Sequence, residues 1–470
     1  MKIELGAEIN LQNLQMNMTS AAEKTSRKHL LNLISISLDM SDKLSLANNS
    51  ETFCVMPWIH QYVAPTGEVR PCCVYTLEYK LGSMKKDSLK EIWNNEDTKQ
   101  LRLDMLNGVQ RIECKRCNLR DNLLTSSKAE FNKRFFSIDK VKEVVSTTLD
   151  DGSVSDHKLY YIDVRYNNLC NFKCRTCGPH FSTSLVIDHQ KVHEKSKDVI
   201  MDNGFQYPGK TKDDAFEQIK PHIADVYEIY FAGGEPLMQD DHYKVLDQLF
   251  VQNKQHVKIC YNTNFSSLKL GKWDVLEYWK NMDNVLVSAS IDGMGNKAEY
   301  WRKNTVWSDI ESNIRQLKQE CPNVTFMINS TVAWPNINSV LEVHKSLVEQ
   351  GLLHVNQIIV NLLDGPPYYS LKVVPLWKKE SLGVLINNHI RWLKTTRASS
   401  NTIASFKNIV DFMMSEHIEM DIKTFHRVTS RLDSLRDEQF FEVFPEHNDM
   451  LKYMTEQGYV FERGLFPSYD

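Results

Sequence analysis

A chain of 470 residues is long enough for two or three domains with a sizeable core. Apolar residues at 42% and charged residues at 25% are those of an ordinary soluble globular protein, and a net charge of −4 argues against a general nucleic-acid binder. No apolar run approaches about 18 residues, so no membrane-spanning helix is expected, and the start Met1-Lys2-Ile3-Glu4-Leu5 lacks the basic and apolar regions of a signal peptide. Ten cysteines in this length do not make a disulfide scaffold. Seven of the ten fall into spaced groups that suit metal ligation, which favours a reducing, cytoplasmic setting.

In chain order, residues 1–50 carry one helix-compatible stretch, Ala21 to Met40, with Leu30, Leu31, Ile34 and Leu38 at helical spacing, followed by a linker at Ser45–Ser50. Residues 51–125 read as a unit with its own chemistry. Cys54 precedes Pro57-Trp58, and Pro65-Thr66-Gly67-Glu68 is a turn between two strand-like runs. Cys72 follows Gly67 with four residues between, and Cys73 is its neighbour. Ser88 and Glu91 form a capping box that opens a helix running to near Gly108, with Leu89, Ile92 and Trp93 on its apolar side. Cys114-Lys115-Arg116-Cys117 comes next. Two hairpin-borne cysteines and a distant CxxC can fold into a four-thiolate site, a pattern shared by zinc ribbons and four-Cys iron–sulfur clusters. Spacing alone does not choose between Cys72 and Cys73. Residues 126–158 are a polar connector with some helical pattern, ending in the turn Asp150-Asp151-Gly152-Ser153, and a domain boundary falls near 155.

From 159 to about 365 the pattern is strand–loop–helix, which indicates a parallel α/β sheet. The predicted strands are Leu159–Arg165, Asp225–Ala232, Val257–Thr263, Asn284–Ile291, Val324–Val332 and Asn356–Leu363. After the first comes Cys170-Asn171-Phe172-Lys173-Cys174-Arg175-Thr176-Cys177, a CxxxCxxC loop. Three thiolates at this spacing can hold three corners of a cubic iron–sulfur cluster and leave the fourth iron open to a cofactor or substrate. Zinc also binds close-set cysteines, but a structural zinc usually takes four ligands, and His180 is the nearest further donor. The second strand ends in Gly233-Gly234-Glu235-Pro236, where two glycines permit close backbone approach and a carboxylate can pair with an ammonium group. The third ends Asn262-Thr263-Asn264, whose short polar side chains suit either ligand contact or loop capping; the fourth ends Ser290-Ile291-Asp292-Gly293. Arg302 follows, and Asn329 and Asn361 lie on the fifth and sixth strands as weaker candidates. Ligands in parallel α/β folds gather at the strands' C-terminal ends, and these motifs sit there. Residues 366–470 lose the strand alternation and read as helices, with Phe440, Phe441, Phe444, Tyr453 and Phe461 as packing residues.

The CxxxCxxC loop after a strand, with Gly-Gly-Glu-Pro downstream, resembles the radical S-adenosylmethionine (SAM) superfamily. That resemblance implies an α/β fold built as a partial (βα)6 TIM-like barrel, with a small N-terminal α+β auxiliary domain and a helical C-terminal extension. It implies that Cys170, Cys174 and Cys177 ligate a [4Fe–4S] cluster whose open iron chelates SAM. Reductive cleavage of SAM then gives a 5′-deoxyadenosyl radical that abstracts hydrogen from a substrate. By the same resemblance Gly233, Gly234, Glu235 and Pro236 hold the SAM amino group, and Ser290, Asp292 and Arg302 are SAM contacts; the plain alternative for Arg302 is a surface salt bridge. The block with Cys54, Gly67, Cys72, Trp93, Cys114 and Cys117 is similar to the twitch and SPASM auxiliary-cluster modules, here placed before the SAM domain. This implies one auxiliary [4Fe–4S] cluster on Cys54, Cys72, Cys114 and Cys117, two clusters in all, with four-Cys zinc as the alternative. Thr176 stands where relatives carry a large residue near the adenine, which leaves Phe172 or Phe181 for that packing. The expected substrate is a peptide or protein side chain, the expected electron donor a flavodoxin or ferredoxin. The rival readings are a small-molecule or nucleotide biosynthetic step, and a zinc- or cluster-stabilised binding protein without chemistry.

Overall fold

The computed structural model describes residues 42–48, 50–115, 117, 127–193 and 204–467. The expected helix at Ala21–Met40 lies outside them. The linker expected at Ser45–Ser50 is helical as far as residue 48, within a helix over 42–48, in keeping with Leu44, Leu46 and Ala47, which favour helix.

The chain divides into two compact units, residues 1–58 with 96–156, and residues 59–95 with 157–470. The division interrupts the 51–125 stretch. In the smaller unit the helices Glu96–Leu106, Ser127–Phe135 and Asp139–Ser146 surround a short turn at Met56–Trp58. Trp58 is fully buried and its indole N–H donates to Thr148 Oγ1 at 2.8 Å. Arg102 is also fully buried and ties two segments together, donating from Nε to the Pro57 carbonyl at 3.0 Å and from Nη1 to the Gly152 carbonyl at 3.3 Å. A single helix from Ser88 to Gly108 was expected. The capping box of Ser88 and Glu91 is present, but the first helix is only Leu89–Trp93 and the chain restarts at Glu96. Asn94 and Asn95, poor helix formers, occupy the break.

The larger unit opens with a three-stranded antiparallel meander, Tyr62–Val63, Glu68–Arg70 and Gly82–Ser83. Gly67 makes its first turn at φ +97°, a conformation that costs a glycine little. The body of the unit is a six-stranded parallel sheet whose strands are β1 (Tyr161–Ile162), β2 (Glu228–Phe231), β3 (Lys258–Thr263), β4 (Val285–Ala289), β5 (Thr325–Val332) and β6 (Ile358–Leu362). They lie side by side in chain order, every pair parallel. This is the mixed α/β architecture that the sequence pattern predicts. Each strand falls within its expected limits, and β1 is the shortest because its continuation at Val164 bridges to Val63 of the meander instead. Ile229, Ile259, Val287 and Ile328 are fully buried, as residues of a doubly covered sheet should be.

The crossovers include α1 (Val186–Val192), α2 (Asp240–Val251), α3 (Trp307–Glu320) and α4 (Ile337–Glu349). Parallel pairing makes every strand end on the same edge, so the loops after β1, β2, β3 and β4 share one rim. The C-terminal region is helical, with α5 (Leu376–Thr395), α6 (Ser400–Met414) and α7 (Ile422–Arg436). Phe440, Phe441 and Phe444 are buried packing residues, and Phe440 lies 5.8 Å from the Trp334 ring. Among the described residues no helix is long and apolar enough to cross a membrane.

Candidate active site

The loop after β1 is held from several sides by the protein itself. Asn168 is fully buried: its Nδ2 donates to the carbonyls of Pro179 (2.9 Å) and Gly204 (2.8 Å), and its Oδ1 accepts from Gln206 N at 2.8 Å. Ser182 and Ser184 donate to the carbonyls of Phe172 and Cys170, both at 2.7 Å. Lys173–Cys174 pairs antiparallel with Arg302–Lys303, Cys174 facing Arg302, and Arg175 N donates to the Trp301 carbonyl at 3.0 Å. The three cysteines are thus borne on a braced loop.

They open onto a cleft of about 520 Å³ at the C-terminal ends of the strands, which Gly233, Gly234 and Glu235 also line. Gly234 packs so closely that a Cβ there would stand 2.2 Å from the Leu169 carbonyl oxygen, and Glu235 N donates to that oxygen at 2.7 Å. The glycine is therefore what lets the β2 loop lie against the cysteine loop. The Glu235 carboxylate is buried and accepts three hydrogen bonds. Oε1 accepts from Thr263 Oγ1 (2.6 Å) and Leu237 N (3.1 Å), while Oε2 accepts from Asn264 N (2.6 Å). Burial pushes its carboxyl up to about 7, against the pull of those hydrogen bonds.

Arg302 lines the cleft, but its guanidinium is committed. Nε and Nη2 each stand 2.8 Å from Oδ2 of Asp292, and Nη1 lies 3.6 Å from Cys174 Sγ. Asp292, 2% exposed, also accepts from Thr331 N at 2.7 Å and is not part of the cleft wall. Ser290 is on the wall, its N–H donating to the Thr263 carbonyl at 2.7 Å. Pro236 is buried and starts the short turn after Glu235. Asn262, Asn329 and Asn361 form a polar row across β3, β5 and β6: Asn329 donates to Asn262 Oδ1 at 3.2 Å and Asn361 donates to Asn329 Oδ1. Asn264 donates to Asn171 Oδ1 at 2.7 Å, with the same nitrogen 3.9 Å from Cys170 Sγ. Phe172, Thr176 and Phe181 all reach the cleft, Phe172 buried and Phe181 39% exposed.

Two residues around the site escaped sequence reasoning. Arg165, on the cleft wall, is forked onto Asp163, with Nε 2.6 Å and Nη2 3.1 Å from its two oxygens, and stands between the rings of Tyr62 and Tyr230. Its place at the strand end was the signal available. Arg175, inside the cysteine motif, is tied to Asp433 and Glu438, partners too distant in sequence for any spacing rule to find.

The donor set fits an iron–sulfur cluster. Burial pushes the Cys177 thiol up to about 12 and raises Cys170 and Cys174 as well. Such thiols ionise readily only when a metal replaces the proton. Among the described residues no three Cys, His, Asp or Glu side chains converge closely enough to share a single metal ion. Buried guanidinium nitrogens of Arg175 (Nη1) and Arg436 (Nη1, Nη2) have no acceptor among the described residues. In the smaller unit burial pushes Cys54 up to about 12 and Cys114 to about 11; the Cys114 and Cys117 thiols add to the rise of Cys54, and Cys117 to that of Cys114. Cys72 and Cys73 follow the second strand of the meander in the larger unit, Cys73 exposed.

Residues 164–347 match the family model of the radical SAM superfamily, and residues 54–118 match SPASM, an iron–sulfur cluster-binding domain. The larger unit therefore carries a radical SAM domain over 164–347. Of the two auxiliary modules its sequence resembles, SPASM is the one matched, and it precedes the radical SAM domain. No curated protein matches the chain. Similar solved structures include native anSMEcpe with bound AdoMet, at 17% identity and a TM-score of 0.34, over 54% of this chain and 62% of that one. anSMEcpe with bound AdoMet and Cp18Cys peptide has 18% identity and a TM-score of 0.32, over 54% and 61%. Streptococcus suis SuiB bound to S-adenosylmethionine has 12% identity and a TM-score of 0.33, over 65% and 63%. The match spans a little over six-tenths of the length of each of these chains.

Proposed function

We propose that this radical SAM protein is an enzyme that cleaves S-adenosylmethionine reductively and uses the resulting 5′-deoxyadenosyl radical to take hydrogen from a peptide or protein side chain. The observation that carries the reading is one cleft, at the C-terminal ends of parallel strands, walled by Cys170, Cys174 and Cys177 together with the Gly233-Gly234-Glu235 segment. A [4Fe–4S] cluster on those thiolates would supply the electron that breaks the carbon–sulfur bond of SAM. The chain's own residues bind and orient. Glu235, flanked by Gly233, Gly234 and Pro236, would receive the SAM ammonium, and a cation there would draw its carboxyl back toward ionisation. Ser290 would contact SAM from the neighbouring strand end. Arg302, held by Asp292, would present a fixed positive edge beside Cys174. Phe172 and Phe181 remain the aromatic surfaces for the adenine.

Cys54, Cys72, Cys114 and Cys117 are proposed as ligands of one auxiliary [4Fe–4S] cluster, supported by the SPASM match over 54–118. A fully ligated cluster has no open iron, so its role would be to accept an electron from the substrate radical. The domain layout proposed is an auxiliary module over 51–125, a connector over 126–158, the SAM-cleaving domain over 159–365 and a helical region over 366–470. A flavodoxin or ferredoxin would supply electrons, in the cytoplasm. The peptide class rests on the pairing of a SPASM module with a radical SAM domain.

Anaerobic purification tests the reading. Iron and sulfide for two clusters, and 5′-deoxyadenosine on addition of SAM and dithionite, are expected. Replacing Cys170, Cys174 or Cys177 with Ala should abolish that product. Stoichiometric zinc in place of iron, or cleavage surviving the Ala variants, would sink it.

A further inference from the structure

The helical region after residue 365 lies outside both matched family segments, which end at 118 and 347. It nevertheless grips the cysteine loop. Arg175, between Cys174 and Cys177, has a side chain only 1% exposed, and its Nη2 donates to Asp433 at 2.6 Å and to Glu438 at 2.8 Å. Its guanidinium lies 3.8 Å over the Tyr300 ring. Asp433, on α7, is itself fixed, accepting from Tyr300 OH at 2.7 Å and from Phe440 N at 2.8 Å. On the other side of Cys174, Lys173 donates to Asp188 at 3.0 Å, and Arg436 donates from Nε to the same carboxylate at 2.9 Å. Lys303, paired in the strand with Lys173, reaches Glu438 at 2.9 Å. Both neighbours of Cys174 are thus tied, directly or through one carboxylate, to the segment 433–438.

A cavity of about 430 Å³ is lined by Cys174, Thr176 and Cys177 together with Arg436. Arg436 spends only Nε on Asp188. Its two terminal nitrogens, and Nη1 of Arg175, are buried with no acceptor among the described residues. Buried N–H groups left unpaired are costly, and the Arg175 charge acts repulsively on that of Arg436. An anionic, sulfur-rich group at Cys174 would relieve both.

We infer that segment 433–438 is a working part of the cluster site. Asp433 and Glu438 are positioning residues that fix the Cys174–Cys177 loop through Arg175. Arg436 contributes positive charge that favours the reduced cluster. The inference rests on Cys170, Cys174 and Cys177 holding a cluster.

The test uses the anaerobically purified full chain and its variants Arg436→Gln, Arg436→Lys and Glu438→Gln. Redox titration is followed by electron paramagnetic resonance, the relevant signal being the one that SAM alone perturbs. Arg436→Gln is expected to lower the reduced-to-oxidised ratio about tenfold at a fixed potential, a shift of about 59 mV to more negative values for a one-electron couple. Arg436→Lys, which keeps the charge, should stay close to the wild type. Glu438→Gln is expected to release iron to a chelator several-fold faster. An unchanged midpoint in Arg436→Gln together with wild-type iron release in Glu438→Gln overturns the inference. Should far-UV circular dichroism show Arg436→Gln unfolded, iron release from Glu438→Gln decides. A wild type with no SAM-sensitive signal would instead defeat the cluster reading itself.

Discussion

Glu235 is a carboxylate buried at the wall of the cleft. Burial lifts its carboxyl from the ordinary 4.5 to about 7. Across that window the native state therefore holds a proton that the unfolded chain has already released, so stability falls as pH rises through it. A gap of that size corresponds to on the order of 3 kcal/mol. Urea unfolding of the metal-free protein between pH 4.5 and 8 should show this decline, and Glu235→Gln should lack it. A parallel pH profile in the two proteins would rule the account out. Gly234 makes a different point. An Ala there places Cβ 2.2 Å from a backbone oxygen of the cysteine loop, and neither backbone can yield cheaply. Gly234→Ala should cost about 1–3 kcal/mol in thermal unfolding and lower the iron content. The Gly-Gly-Glu-Pro motif was legible in the sequence; that its carboxylate is occupied by Thr263 and Asn264 was not, because those partners come from another strand end.

At the scale of elements, local chemistry was read well and continuity less well. The capping box of Ser88 and Glu91 formed as the spacing predicts, since all its bonds are made within one turn. Ser88→Ala should cost about 1 kcal/mol, measured by thermal unfolding. The helix it opens stops at Trp93, where Asn94 and Asn95 interrupt, a break that apolar periodicity does not register. Strand limits were legible because β-branched and aromatic runs bounded by turn residues mark a covered sheet. Gly383, in the middle of α5, has open space where the methyl group of an alanine would stand, so Gly383→Ala should stabilise the chain by about 0.5–1 kcal/mol. A fall in melting temperature would show that the site is tighter than it looks.

For the molecule as a whole, the cysteine loop and the C-terminal helices ought to respond as one unit. Chelation of iron should speed amide exchange in residues 170–177 and 433–440 together, leaving β3 to β5 unchanged; a response confined to the loop would separate the two. The sequence by itself carried the resemblance to the radical SAM superfamily, because cysteine spacing and the strand-end motifs are local and survive without coordinates. It also determined the parallel sheet, since periodicity and crossover length leave few alternatives. Only the tertiary structure decided which charges neutralise one another. Arg302 is spent on Asp292 and Cys174, and Arg175 on carboxylates 258 and 263 residues away. Pairing of buried charges depends on distance in space and on exclusion of water, and neither is written in the order of residues.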